Sequence, residues 1–161
     1  MNLFNESPFW RLNSYMQGFK DYLEQSEEQA DIRHTLSKLP PRHRQFVRGF
    51  TLSFQGTNTL NSDGEHVGVI QTHPKPHITI ASPWRYPREW VFLHEIAHLV
   101  WANLMDAHKR NLWAKIVANT DHKQDQDDEE LFAMAYANAY AKHKIRIHDH
   151  PEWDKFIKQL A

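Results

Sequence analysis

The chain contains no cysteine among its 161 residues. Disulfides and thiolate metal sites are therefore excluded, and any metal must be held by nitrogen and oxygen ligands. No apolar run reaches the length of a membrane span. The N-terminal stretch lacks a basic segment followed by an apolar one, so no secretory signal is read there. An excess of charge is also missing: the net charge is -1 and the pI about 6.9, which argues against nucleic-acid and membrane partners. Internal repeats and low-complexity linkers are absent. These gaps leave a soluble, cytoplasmic protein as the expectation. At 40% hydrophobic and 24% charged residues, the composition is that of a globular fold, and the length suits a single domain spanning 1–161.

What is present begins with helix. Phe9, Trp10, Leu12, Tyr15, Met16, Phe19, Tyr22 and Leu23 recur at helical spacing. A more polar helical stretch from about Ser26 to Leu39 stops at Pro40-Pro41. The first forty residues thus read as a helical N-terminal extension and 41–161 as the core. A short helix through Arg44 and Phe46 follows. RGFTLSFQG then alternates Phe50, Leu52 and Phe54 with smaller or polar residues, which is strand periodicity. HVGVIQ and HITIAS are further β-branched runs. Together they predict a small sheet of three or so strands. Beyond them, Pro87 opens a helix, REWVFLHEIAHLVWANL, apolar almost all round and so destined for a core. Asp106 is placed to cap another helix carrying Leu112, Trp113, Ile116 and Val117. EELFAMAYANAYAKH and a short helix after Pro151 complete an α+β chain.

One run in this chain is chemically distinctive. His94-Glu95-Ile96-Ala97-His98 fits H-E-x-x-H, in which two histidines one turn apart bind zinc and the glutamate handles protons. With 12 His in the chain, such a match arises by accident in roughly one chain in twenty of this composition. The surroundings raise its weight. Ionisable groups on a buried apolar helix are costly without a strong compensating interaction, and a metal supplies one.

A catalytic zinc takes three protein ligands and an open position. Positions 101 and 104 hold Trp101 and Leu104, which excludes the form with a third histidine downstream on the same stretch. Glu130 is the preferred third ligand, since Ala133 and Ala137 on its own face allow close helix packing. Glu129 is the runner-up. His108, His122 and His143 are weaker candidates. Glu130 also suits a capping box with Asp127 as N-cap.

HEIAH together with Glu130-Leu131-Phe132-Ala133 resembles the gluzincin metallopeptidases, most closely the lethal factor catalytic domain and the Mlc-titration-factor peptidases. There an H-E-x-x-H helix is followed by a helix beginning E-x-F-A. The resemblance spans roughly Leu39 to Ala161. It implies a zincin-like fold, with a small mixed sheet packed against the active-site helix and further helices at both ends. It also implies a zinc-dependent peptidase with His94, His98 and Glu130 as ligands, which favours Glu130 over Glu129. Zn²⁺ would acidify a water and polarise the substrate carbonyl. Glu95 would take the water proton and pass it to the leaving amine. A strand of the sheet would border the cleft, where an extended peptide or protein substrate could pair with its edge; HITIA lies just before the helix, although Ile78 and Ile80 suit a core. Two family features are displaced. The tyrosine seven residues before the ligand glutamate is Lys123 here, which leaves the transition-state stabiliser unassigned: His122 is adjacent and Tyr136 and Tyr140 follow on the helix, with His122 and Tyr136 the candidates. The position four residues after it, where related enzymes often carry an acid that orients a ligating histidine, is Met134 here, so a backbone carbonyl or another acid must do this.

Other features weigh less. Arg33, Lys38, Arg42, Arg44 and Arg48 read as a solvated helix face. His143, His148 and His150 fit no standard second metal site. Trp84 and Tyr86 could line the cleft. The competing function is a non-catalytic zincin-like zinc-binding module that binds a protein partner.

Overall fold

The computed structural model describes residues 27–55, 68–81, 86–122 and 126–161. The expected helix around Phe9 to Leu23, Trp84 and Lys123 lie outside these residues. What is described is an α+β arrangement of six helices and a three-stranded mixed sheet.

Helix α1 (Glu27–Lys38) buries Ile32, Thr35 and Leu36, one face at helical spacing. It ends where Pro40 and Pro41 follow. Ile32 and Leu36 join the same apolar cluster as the central helix, so α1 lies against the core. A single turn, α2 (Pro41–Arg44), starts on Pro41, whose missing N–H would have had no partner there. A 3-10 turn (Gln45–Val47) follows. Gly49, at φ 86°, then takes the left-handed conformation that turns the chain into the sheet.

All three expected strands form. They are β1 (Thr51–Gln55), β2 (Gly68–Gln71) and β3 (His77–Ala81), in the order β1-β3-β2. β1 runs parallel to β3 and β2 antiparallel to it. The period of two puts Leu52, Ile78 and Ile80 on the buried face. Thr51, Ser53, His77 and Thr79 take the other, half-buried face, where the His77 ring bridges the Thr51 and Ser53 hydroxyls. HITIA is therefore the central strand, paired on both sides, and no added strand can join it. Any augmentation falls to β1 or β2.

The next helix, α3 (Arg88–Leu104), organises the rest. Pro87 precedes it as N-cap rather than filling its first turn. Phe92, Leu93, Ile96, Ala97 and Val100 are inaccessible to solvent. Burying each large apolar side chain contributes about 2 kcal/mol, enough to hold the helix despite the polar groups it carries. Sheet, α1 and a later helix all pack on it. Asp106 caps α4 (Ala107–Ala118) by accepting from the Lys109 N–H at 2.9 Å. Trp113 and Val117 turn inward, whereas Leu112 is exposed and outside the core. Helix α5 (Asp128–Tyr140) packs along α3, and its small Ala133 and Ala137 are inaccessible to solvent. Helix α6 (Pro151–Lys158) closes the core with Trp153, Phe156 and Ile157. Among the described residues no helix is long and apolar enough to cross a membrane.

Candidate metal centre

The site lies where α3 meets the first turn of α5. A separation of four puts His94 and His98 one turn apart on one face of α3. Their ring centroids are 5.1 Å apart, with the planes at 77°. Two imidazoles sharing a tetrahedral zinc have centroids about 5 Å apart, so the pair already stands at ligand spacing. Both rings are mostly buried, with 15% and 19% of their side chains exposed.

The start of α5 is fixed from two sides. Asp127 accepts from the Glu130 N–H at 2.9 Å, and the Trp113 Nε1–H donates to the Asp128 carbonyl at 2.9 Å. The cap uses only the backbone of Glu130: its N–H goes to Asp127 while its carboxylate reaches α3. The positive end of the helix dipole also favours carboxylates in this turn. Glu130 Oε2 lies 3.3 Å from His94 Nε2, and Oε1 lies 3.5 Å from His98 Nε2. A charge-assisted hydrogen bond would be about 2.8 Å. Ligand atoms around a tetrahedral zinc stand about 3.4 Å apart. The spacing matches the second case. Among the described residues, His94, His98 and Glu130 are the group whose ligand atoms all fall within 4.8 Å of one another.

Glu129 has a different place. Its Oε1 lies 2.8 Å from His98 Nδ1, the nitrogen facing away from Glu130. Met134, in the position four after Glu130, is buried and apolar, so an acid adjacent to the ligand takes up the ring contact missing there. The His94 ring is held otherwise. It stacks on Trp90 (5.6 Å, 25°), which stacks on Tyr86 (4.9 Å, 17°), and its buried Nδ1 has no hydrogen-bond partner among the described residues. Tyr86 thus borders the site through Trp90. Glu95 is buried on α3 at 5% exposure, about 100° around the helix from His94.

The remaining candidates are elsewhere. Tyr136 is fully buried, and its hydroxyl meets His43 Nδ1 at 3.0 Å. Burial and the neighbouring Tyr140 push its pKa well above the usual phenol value. It is therefore engaged away from the histidine pair, and its assignment as a stabiliser at the site does not hold. His122 packs against Trp153 (5.0 Å), His150 (5.5 Å) and His148 (6.0 Å). Burial and the His150 charge lower its pKa. His148, also stacked on Trp90 at 5.9 Å, is lowered to about 4 by burial and by the charges of His122, His150 and His94. This histidine group includes His122, which sequence spacing did not connect to it, and leaves His143 exposed. His108 is exposed on α4. Arg33, Lys38, Arg42 and Arg48 are exposed, as a solvated face requires.

Comparison of the chain with protein-family models, with curated proteins and with solved structures found no match. The functional reading therefore rests on the residues themselves.

Proposed function

We propose that the chain is a zinc-dependent peptidase with a zincin-like fold of gluzincin type, acting on a limited set of protein substrates. The observation that carries this reading is the Glu130 carboxylate facing both imidazole Nε2 atoms at 3.3 and 3.5 Å. The donor set, two neutral nitrogens and one carboxylate, is that of a catalytic zinc site with an open position. His94 Nε2, His98 Nε2 and Glu130 would hold the ion. When bound, zinc supplies an acidified water and polarises a carbonyl. Glu95 is the proton carrier: its carboxylate takes a proton from the attacking water and returns it to the amine nitrogen of the leaving chain. The Trp90–Tyr86 stack keeps the His94 ring in place on one flank. An extended substrate would pair with β2, the antiparallel edge strand that packs next to α3.

A second reading has its own support. Tyr136 is committed to His43, and no described tyrosine has been assigned as the oxyanion donor. A zincin-like module that binds zinc and a protein partner without catalysis would tolerate this. Glu95→Gln separates the two. For a peptidase, the variant retains zinc by elemental analysis, and cleavage of an unstructured peptide library falls by about 10²–10⁴-fold. Wild-type protein that holds zinc and cleaves nothing in the library supports the binding module, and cleavage that survives in Glu95→Gln rules out the proposed proton carrier.

A further inference from the structure

Neighbouring residues on a helix point about 100° apart, yet Glu129 and Glu130 both reach the ring of His98. They do so from opposite edges: Glu129 Oε1 at 2.8 Å from Nδ1, and Glu130 Oε1 at 3.5 Å from Nε2. We propose that Glu129 is the positioning residue of the metal centre, selecting the ring tautomer and orientation in which His98 Nε2 can act as a ligand. The inference rests on the zinc reading above and assigns Glu129 a role outside the ligand set.

The argument is one of donors and acceptors. A carboxylate only accepts, so a neutral His98 bonded to Glu129 must carry its proton on Nδ1. Nε2 is then left with a lone pair, and it faces Glu130. That explains why the first contact has hydrogen-bond length and the second does not. The geometry is held from behind: Asp127 fixes the Glu130 N–H and Trp113 fixes the Asp128 carbonyl, so the first turn of α5 cannot rotate one glutamate without the other. His94 has no such acid. Its Nδ1 lacks a partner among the described residues, and Trp90 stacking sets its plane instead. The two histidines are thus oriented by different forces, one by a carboxylate and one by an aromatic face.

The test uses Zn²⁺ competition against a chromophoric chelator, together with ¹⁵N NMR of the His98 ring in the metal-free protein. The Glu129 side chain is 42% exposed, so its variants keep the fold, which thermal unfolding checks. Glu129→Ala should bind Zn²⁺ about 10–100-fold more weakly, the usual cost of losing an outer-shell partner. Glu129→Gln, whose Oε1 accepts the same N–H, should stay within about threefold of wild type. In the metal-free protein, the proton should sit on Nδ1 of His98 and move toward Nε2 in Glu129→Ala. Wild-type affinity in Glu129→Ala, or an unchanged tautomer, overturns the proposal. So does a complete loss of metal equal to that of Glu130→Ala, which would make Glu129 a ligand. If the wild-type protein itself binds no Zn²⁺, the zinc reading fails, and the tautomer measurement still decides the role of Glu129.

Discussion

The two ends of α5 each meet a histidine, and they treat it in opposite ways. At the C-terminal end, His43 is inaccessible to solvent and both ring nitrogens are used. Its Nε2 contacts the Leu160 carbonyl at 2.9 Å, and its Nδ1 the Tyr136 hydroxyl at 3.0 Å. A carbonyl only accepts, so Nε2 carries the proton and Nδ1 accepts from Tyr136. Every partner is neutral: burial lowers the His43 pKa, raises that of Tyr136 and, with Asp154 nearby, pushes Tyr140 up to about 12. At the N-terminal end, two mostly buried rings face two carboxylates: Glu129 meets His98 Nδ1 at 2.8 Å, while the Glu130 oxygens stand 3.3 and 3.5 Å from the two Nε2 atoms, too far for good hydrogen bonds. The first cluster is complete without any further group. The second gathers a carboxylate and two imidazole nitrogens on one point, a group that could hold a metal ion. Histidine content therefore distinguishes nothing by itself; the partners of the ring nitrogens do.

Four changes would break or sharpen that contrast. The largest effect belongs to Glu130→Ala, which removes the charge at the N-terminal end. Zn²⁺ affinity should fall by about 1,000-fold, or about 4 kcal/mol, measured by calorimetric titration, with little change in unfolding temperature. His43→Ala does the reverse. It leaves a cavity and orphans the Tyr136 hydroxyl and the Leu160 carbonyl, so denaturant unfolding should show a loss of about 3 kcal/mol with Zn²⁺ affinity intact. A metal-binding defect in folded His43→Ala would mean that the two ends are not independent. Tyr136→Phe removes only one hydroxyl from the same cluster and should cost about 1 kcal/mol. It should leave any peptidase activity unchanged, whereas a large drop in turnover would return Tyr136 to the site.

The smallest effect is a slope. A histidine whose folded pKa is depressed favours the unfolded state once protons become available. Its stabilisation is whole above the ordinary value of 6.5 and is lost as pH falls toward the folded pKa. Stability should thus decline between pH 7 and pH 5, and His43→Gln should decline less. His148, lowered to about 4, acts in the same direction, so part of the slope should persist in that variant. Equal slopes in wild type and variant would remove His43 from this account.

Much of the architecture was legible because it follows local periodicity. The three strands, the Asp106 and Asp127 caps and the all-round apolar α3 each follow from short-range chemistry. The grouping of His94, His98 and Glu130 was legible in part, since a four-residue spacing fixes one face of α3. The order β1-β3-β2 was not legible, because alternation tells which face is buried and not which strand lies in the middle. Glu129 was read as a competing ligand. Helical phase sets the two acids about 100° apart, but the tilt of α5 that lets them straddle one ring is a tertiary property. Tyr136 was misassigned for a reason the sequence did contain: six residues from Glu130 amount to about 240° of rotation, which places it away from the ligand face. Its true partner, His43, lies 93 residues away, beyond any local pattern.

Glu89, in the first turn of α3, is 3% exposed; its Oε1 accepts from the Thr35 hydroxyl of α1 and from the Lys142 N–H just beyond α5, the latter at 2.9 Å. One oxygen thus joins three stretches of chain about fifty residues apart. A fragment spanning 86–140 would include His94, Glu95, His98, Glu129 and Glu130, yet it would lack both donors to Glu89. Such an excised piece would carry the full set of reactive groups and still fail as a miniature of the site, because the helix that presents the histidines is anchored by residues on either side of the cut.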